Sequence, residues 1–100
     1  MVATNKKQLY VIAYDISNDK RRRKIVTCLE KYGTRINKSV FECMLTKAQL
    51  NIVIEELEII SIVKFDTIAI YPICAECYAK AKYIPKHLRI MPKGNTIVVP

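Results

Sequence analysis

From Gln8 to Asp15 the chain reads QLYVIAYD, an apolar, β-prone run with loose alternation, and it predicts a buried central strand. Ser17, Asn18 and Asp19 follow, each a good N-cap. Ile25, Cys28, Leu29 and Tyr32 then recur at i, i+3, i+4 and i+7. That spacing predicts a helix to about Tyr32, closed by Gly33 just past its end. Arg35–Leu45 holds no Pro or Gly and predicts one long second strand. Ile36 and Val40 share one parity, whereas Phe41, Cys43 and Leu45 share the other. The phase change implies a bulge or burial on both faces, and two-sided burial hints at a subunit interface. Thr46 to Gln49 spells a capping box, and Leu50, Val53, Ile54 and Leu57 predict an amphipathic helix behind it. Ile59–Lys64 reads as a short strand or a tight connection. Asp66–Ile73 is the last clear strand, ended by Pro72 or placed by it at a sheet edge. The tail holds a CxxC, two prolines, Gly94 and a β-prone end, Thr96–Val99.

The element order is β-α-β-(β)-α-β with a terminal strand. It predicts an α+β, ferredoxin-like βαββαβ fold. One hundred residues make one domain, divided into a core over 1–77 and an extension over 78–100. A lone domain of this size buries only about 60–70 % of its unfolded surface, so pairing into a homodimer would add useful burial. The terminal strand lacks an obvious partner within the chain and is expected to pair with a second subunit.

Charge narrows the function. The formal net charge is +8, with 17 basic against 9 acidic residues, which suits a nucleic acid or an anionic surface. No apolar run reaches the length of a membrane span, and Leu9–Tyr14 is too short for a signal segment, so a cytoplasmic location is expected. Cys28, Cys43, Cys74 and Cys77 lack a regular framework and read as buried, reduced thiols.

The chemistry concentrates at Leu9–Arg23. An apolar strand ends in one acid, Asp15, and five consecutive basic residues, Lys20 to Lys24, open the next helix. Positive charges there oppose the helix dipole, so stability does not explain them, whereas polyanion binding does. A strand-end carboxylate can hold a divalent cation, and one Asp15 from each subunit of a dimer would make a fuller oxygen site for Mg²⁺ or Mn²⁺. Ser39 has no evident base partner, and the single histidine, His87, lies in the tail, so no Ser/His/Asp arrangement emerges. Glu42 is a candidate second acid, although a strand-surface ion pair explains it better. Cys74-Ala75-Glu76-Cys77 is half a zinc site, and no essential zinc is expected.

Tyr14-Asp15-Ile16-Ser17, the basic helix start, Arg35 to Cys43 and Asp66 to Cys74 together resemble the small CRISPR-associated nuclease family of the adaptation machinery, which partners the CRISPR integrase. The resemblance spans about residues 8–77. It implies a ferredoxin-like homodimer whose C-terminal strand crosses to the partner's sheet. It also implies metal-dependent endonuclease activity on RNA or double-stranded DNA, with Asp15 as the metal-binding and catalytic acid. By the same resemblance Tyr14, Arg22, Lys24, Arg35, Ser39 and Phe41 form the nucleic-acid-binding set, although Tyr14 and Phe41 are of types more often found in a core. Lys24 departs from the pattern, because an Arg is expected there and Lys offers a point charge instead of a fork. Two rival readings share the fold: a non-catalytic scaffold bridging DNA between integrase subunits, and a toxin-type ribonuclease.

Overall fold

A computed structural model describes residues 6–85. Its elements are β1 (Gln8–Asp15), α1 (Asp19–Glu30), β2 (Gly33–Asn37), β3 (Val40–Leu45), α2 (Lys47–Ile60), β4 (Thr67–Ile73) and α3 (Ala75–Ala79). The four strands form one antiparallel sheet in the order β2-β3-β1-β4. This is the ferredoxin-like arrangement, with β1 in the interior of the sheet. The expected strand Thr96–Val99 and His87 lie outside the described residues.

Side-chain alternation divides the sheet into two unlike faces. Ile12 and Tyr14 of β1 and Phe41, Cys43 and Leu45 of β3 point to one side. There they meet Ile25, Cys28 and Leu29 of α1 and Val53 and Leu57 of α2 in the main core. On the other side Leu9 packs against Tyr78 of α3, with Ile73, Ala81 and Tyr83 alongside. Between that small cluster and Asp15 the second face carries Val11, Ala13, Ala69 and Tyr71, which are half-buried or exposed.

Both long helices start as their caps dictate. Asn18 accepts the N–H of Arg21 at 2.9 Å, and Thr46 and Gln49 close a reciprocal capping box. The first helix stops at Glu30, earlier than expected, and Lys31 and Tyr32 form a turn bonded back to Cys28 and Leu29. Gly33 does not close that helix; it opens β2. Its missing side chain is required because a Cβ there would lie 2.2 Å from the Glu42 carbonyl and 2.5 Å from Cys43 Sγ.

The single strand expected over Arg35–Leu45 is instead a hairpin. β2 and β3 pair around Lys38–Ser39, with a register shift between Arg35 and Asn37. The turn uses neither Gly nor Pro, because Asn37 Oδ1 accepts the Ser39 N–H at 2.9 Å and shapes the corner itself. The parity change at Val40 marks this reversal, so the inference of a dimer from one doubly buried strand loses its premise. Ile59 and Ile60 continue α2, and Val63–Phe65 forms a turn, so no extra strand occurs there. Pro72 sits inside β4, which tolerates it as an outer strand of the described sheet. Asp66 precedes β4 and does not begin it.

Candidate nucleic-acid and metal site

Four segments meet at one end of the sheet: the last residues of β1, the hairpin turn, the start of α1 and the entry to β4. Asp15 ends β1 opposite Thr67 of β4, on the face away from α1 and α2. Its side chain is exposed, and among the described residues it pairs with no cation. The residues on either side of it are buried. A carboxylate is thus held outward on a rigid backbone.

Tyr14 and Phe41 turn inward. Phe41 has no exposed surface, Tyr14 is 4 % exposed, and their ring centroids lie 6.3 Å apart. Burial also pushes the Tyr14 hydroxyl above its ordinary range. Neither ring can stack on a base from this position, so the expectation of nucleic-acid contact gives way to a supporting role. The Tyr14 hydroxyl donates to the Lys38 carbonyl at 2.7 Å, and the Tyr14 N–H donates to the Ser39 carbonyl at 3.0 Å. Two bonds from one residue therefore fix the hairpin turn beside Asp15.

Arg35 and Ser39 are exposed at that turn. The Arg35 guanidinium donates to the carbonyls of Asn37 and Lys38 at 3.2 and 3.4 Å, so part of its fork is used internally. Lys38 is also exposed there and was not among the expected contact residues. Arg22 donates to the Ile16 carbonyl at 2.7 Å, one residue past Asp15, and pairs with Asp19. Lys24 points elsewhere. With Lys20, Arg23 and Lys31 it lines a groove between α1 and α2, on the helical layer. The structure thus gathers Asp15, Arg22, Arg35 and Ser39 at one end and leaves Lys24 out.

Sequence reasoning missed Asp66. Its side chain is fully buried and receives Arg21 Nε at 2.8 Å, Arg21 Nη2 at 3.1 Å, the Ile62 N–H at 2.9 Å and the Ser17 N–H at 3.3 Å. The Arg21 hydrogen bond, helped by the two backbone donors, holds this carboxyl well below the usual carboxylate range, against the burial that would raise it. Asp66 therefore pins α1 to the entry of β4 immediately behind Asp15. Lys64 and the exposed Phe65, with the ammonium 5.6 Å from the ring centre, border the same entry. Their only sequence signal is a basic–aromatic pair between a helix and a strand. Glu42, the candidate second acid, is buried on β3 and accepts from the Tyr83 hydroxyl, so it is not at this end.

As a metal centre, one chain is incomplete. Among the described residues no three His, Cys, Asp or Glu side chains cluster. Asp15 offers hard oxygen donors of the right kind, but only one carboxylate. No helix among the described residues is long and apolar enough to cross a membrane.

Residues 8–81 match the model of the family described as CRISPR associated protein Cas2. The chain is 46 % identical over 71 residues to a CRISPR-associated endoribonuclease Cas2 of Rhodospirillum rubrum, covering 71 % of this chain and 57 % of that protein. It is 38 % identical over 90 residues to one from Synechocystis, covering 90 % of this chain and 98 % of that protein. Among solved structures, Cas2 of Streptococcus pyogenes superposes with a TM-score of 0.70 at 26 % identity, over 75 % of this chain and 96 % of that one. A chain of a partial Cas6-RT-Cas1–Cas2 complex superposes with a TM-score of 0.71 at 26 % identity, over 92 % of this chain and 99 % of that one.

Proposed function

Because the chain belongs to the family of CRISPR-associated protein Cas2, we propose that it is a divalent-metal-dependent endonuclease of CRISPR adaptation. It hydrolyses phosphodiester bonds in RNA or double-stranded DNA and works beside the CRISPR integrase. The observation that carries this reading is the outward Asp15, paired with no cation among the described residues, on a strand end whose neighbours are all fastened. Relatives named as endoribonucleases and an endonuclease support the reaction class, and the Cas1–Cas2 complex neighbour supports the partner.

The active form is a homodimer. Near the acid, the sheet face that carries Asp15 is built from small apolar side chains, with Ala13 opposite Ala69 one pair further in. Two such faces stack closely, and stacking about a two-fold axis brings two Asp15 carboxylates together. That pair completes the donor set that one chain lacks. Mg²⁺ or Mn²⁺ held there would neutralise charge on a phosphoryl oxygen and favour ionisation of water.

The protein's own groups do the positioning. Arg22, Arg35 and Lys38 supply positive charge around the turn and hold the phosphate backbone without reading bases. The Ser39 hydroxyl is placed to hydrogen-bond a phosphate oxygen. Tyr14 keeps the turn from moving when the backbone is loaded. Cleavage of labelled RNA and duplex DNA across a Mg²⁺ and Mn²⁺ titration, with Asp15→Asn alongside, tests this function. A wild type that cuts nothing yet assembles with the integrase would make the protein a DNA-bridging scaffold.

A further inference from the structure

The run Cys74-Ala75-Glu76-Cys77 lies where β4 passes into α3, far along the strand from Asp15. Cys74 caps α3, and its Sγ accepts the Cys77 N–H at 3.2 Å. Both side chains are exposed and neither is in a disulfide, in contrast to the expectation of buried thiols. Cys28 and Cys43 do meet that expectation. Burial raises both of their thiols, that of Cys43 to about 12, so they are poor nucleophiles at neutral pH.

The two exposed thiols are unequal. Hydrogen bonds from the Cys77 thiol, and then from the backbone N–H groups of Cys77 and Glu76, hold Cys74 below the ordinary thiol range. Cys77, as the donor, is held above it. One sulfur is thus prepared to attack and the other to follow. Cys74 also borders a cavity of about 550 Å³ lined by Lys6, Lys7, Met44 and Tyr78. Two lysines lining the same cavity as a nucleophilic sulfur favour an anionic reactant.

We propose that Cys74 and Cys77 form a thiol–disulfide exchange site for small anionic disulfides of the glutathione type. The Cys74 thiolate attacks one sulfur of the disulfide RSSR. The S–S bond breaks, one RS⁻ leaves, and Cys74 carries a mixed disulfide. Cys77 gives its proton to solvent and attacks Cys74 Sγ, which expels the second RS⁻. The dithiol loses two electrons and two protons, and RSSR becomes two RSH. The Cys77 backbone N–H already contacts Cys74 Sγ and the two thiols hydrogen-bond, so the second sulfur is within reach of the first. Among the described residues no third ligand joins the pair, which favours redox chemistry over a zinc site.

The test uses the full chain, free of added metal, in graded mixtures of reduced and oxidised glutathione, quenched by alkylation and read by intact mass and peptide mapping. A Cys74–Cys77 disulfide is expected, with Cys28 and Cys43 still reduced. Cys77→Ser is expected to accumulate one glutathionyl group on Cys74. Cys74→Ser is expected to react about tenfold more slowly, with circular dichroism confirming that both variants fold. Lys6→Gln with Lys7→Gln is expected to slow oxidised glutathione but not the uncharged hydroxyethyl disulfide. Equal reactivity of Cys74 and Cys77, or a Cys74 no faster than free cysteine, would overturn the proposal. So would stoichiometric zinc that blocks both thiols until it is chelated.

Discussion

Arg21 and Asp66 are 45 residues apart in sequence and form a two-pronged ion pair, Nε to Oδ2 at 2.8 Å and Nη2 to Oδ1 at 3.1 Å. The Asp66 side chain is fully buried and the Arg21 side chain four-fifths buried. This pair joins the first turn of α1 to the entry of β4, and Ser17 completes it from the segment that follows Asp15.

The pair makes the fold acid-sensitive. Asp66 has a folded pKa below its unfolded value, so it stabilises the protein fully above the unfolded pKa of about 3.9. That contribution is lost as pH falls from the unfolded value, about 3.9, toward the folded one. Tm followed by circular dichroism is expected to fall steeply through this window. Asp66→Asn is expected to flatten that stretch and to lower Tm at pH 7 by about 8 °C or more, because Arg21 is left unpaired.

Asp15→Asn is expected to abolish Mg²⁺- or Mn²⁺-dependent cleavage and to leave the Tm of the single chain nearly unchanged, within about 0.5 kcal/mol of stability, since the side chain is exposed and pairs with no cation among the described residues. Nucleic-acid binding is expected to persist or tighten, because a negative charge leaves a basic surface. Cleavage at the wild-type rate by Asp15→Asn would remove Asp15 from the reaction.

Binding is expected to be governed by phosphates. With roughly four to six neutralised per dimer, the log–log salt slope should be about −3 to −5. Arg35→Ala and Lys38→Ala each remove one contact from both subunits and are expected to make it shallower by about two, and Lys24→Ala to change it least. Fluorescence anisotropy with several unrelated sequences measures both the slope and the absence of base preference.

Sedimentation at low micromolar concentration is expected to give twice the mass of one chain. Ala13→Arg places a long charged side chain on the open sheet face and is expected to give single chains with unchanged circular dichroism. Retention of the dimer by this variant would show that the subunits meet elsewhere.

Gly33→Ala is expected to destabilise by roughly 2 kcal/mol, a drop in Tm of about 10 °C. Two of the three atoms its Cβ would meet belong to the β3 backbone, so the strands must part to admit it. A thermal melt at neutral pH reads the effect directly.

Asp15 was legible in the sequence because everything that defines it is local: an apolar strand, one acid, then caps. The helices were legible for the same reason, since Thr46 and Gln49 sit three residues apart and cap each other. The hairpin was not, because Asn37, Lys38 and Ser39 suit a strand as readily as a turn. Only the bond from the Ser39 N–H to Asn37 Oδ1 and the anchoring by Tyr14 decide between them. Tyr14 and Phe41 sit beside the contact residues in sequence, but strand alternation sends their rings into the core. Asp66 was illegible because its meaning lies in Arg21, and nothing in a short window announces a partner so distant.

The interior place of β1 in the sheet has a kinetic consequence for the site at its end. The Tyr14 amide, bonded to Ser39, exchanges with solvent only when both the hairpin and the sheet around it come apart. Its hydrogen-exchange rate is therefore expected to report the opening of the whole molecule. Within one chain, loss of the fixed Asp15 position and global melting then follow one curve.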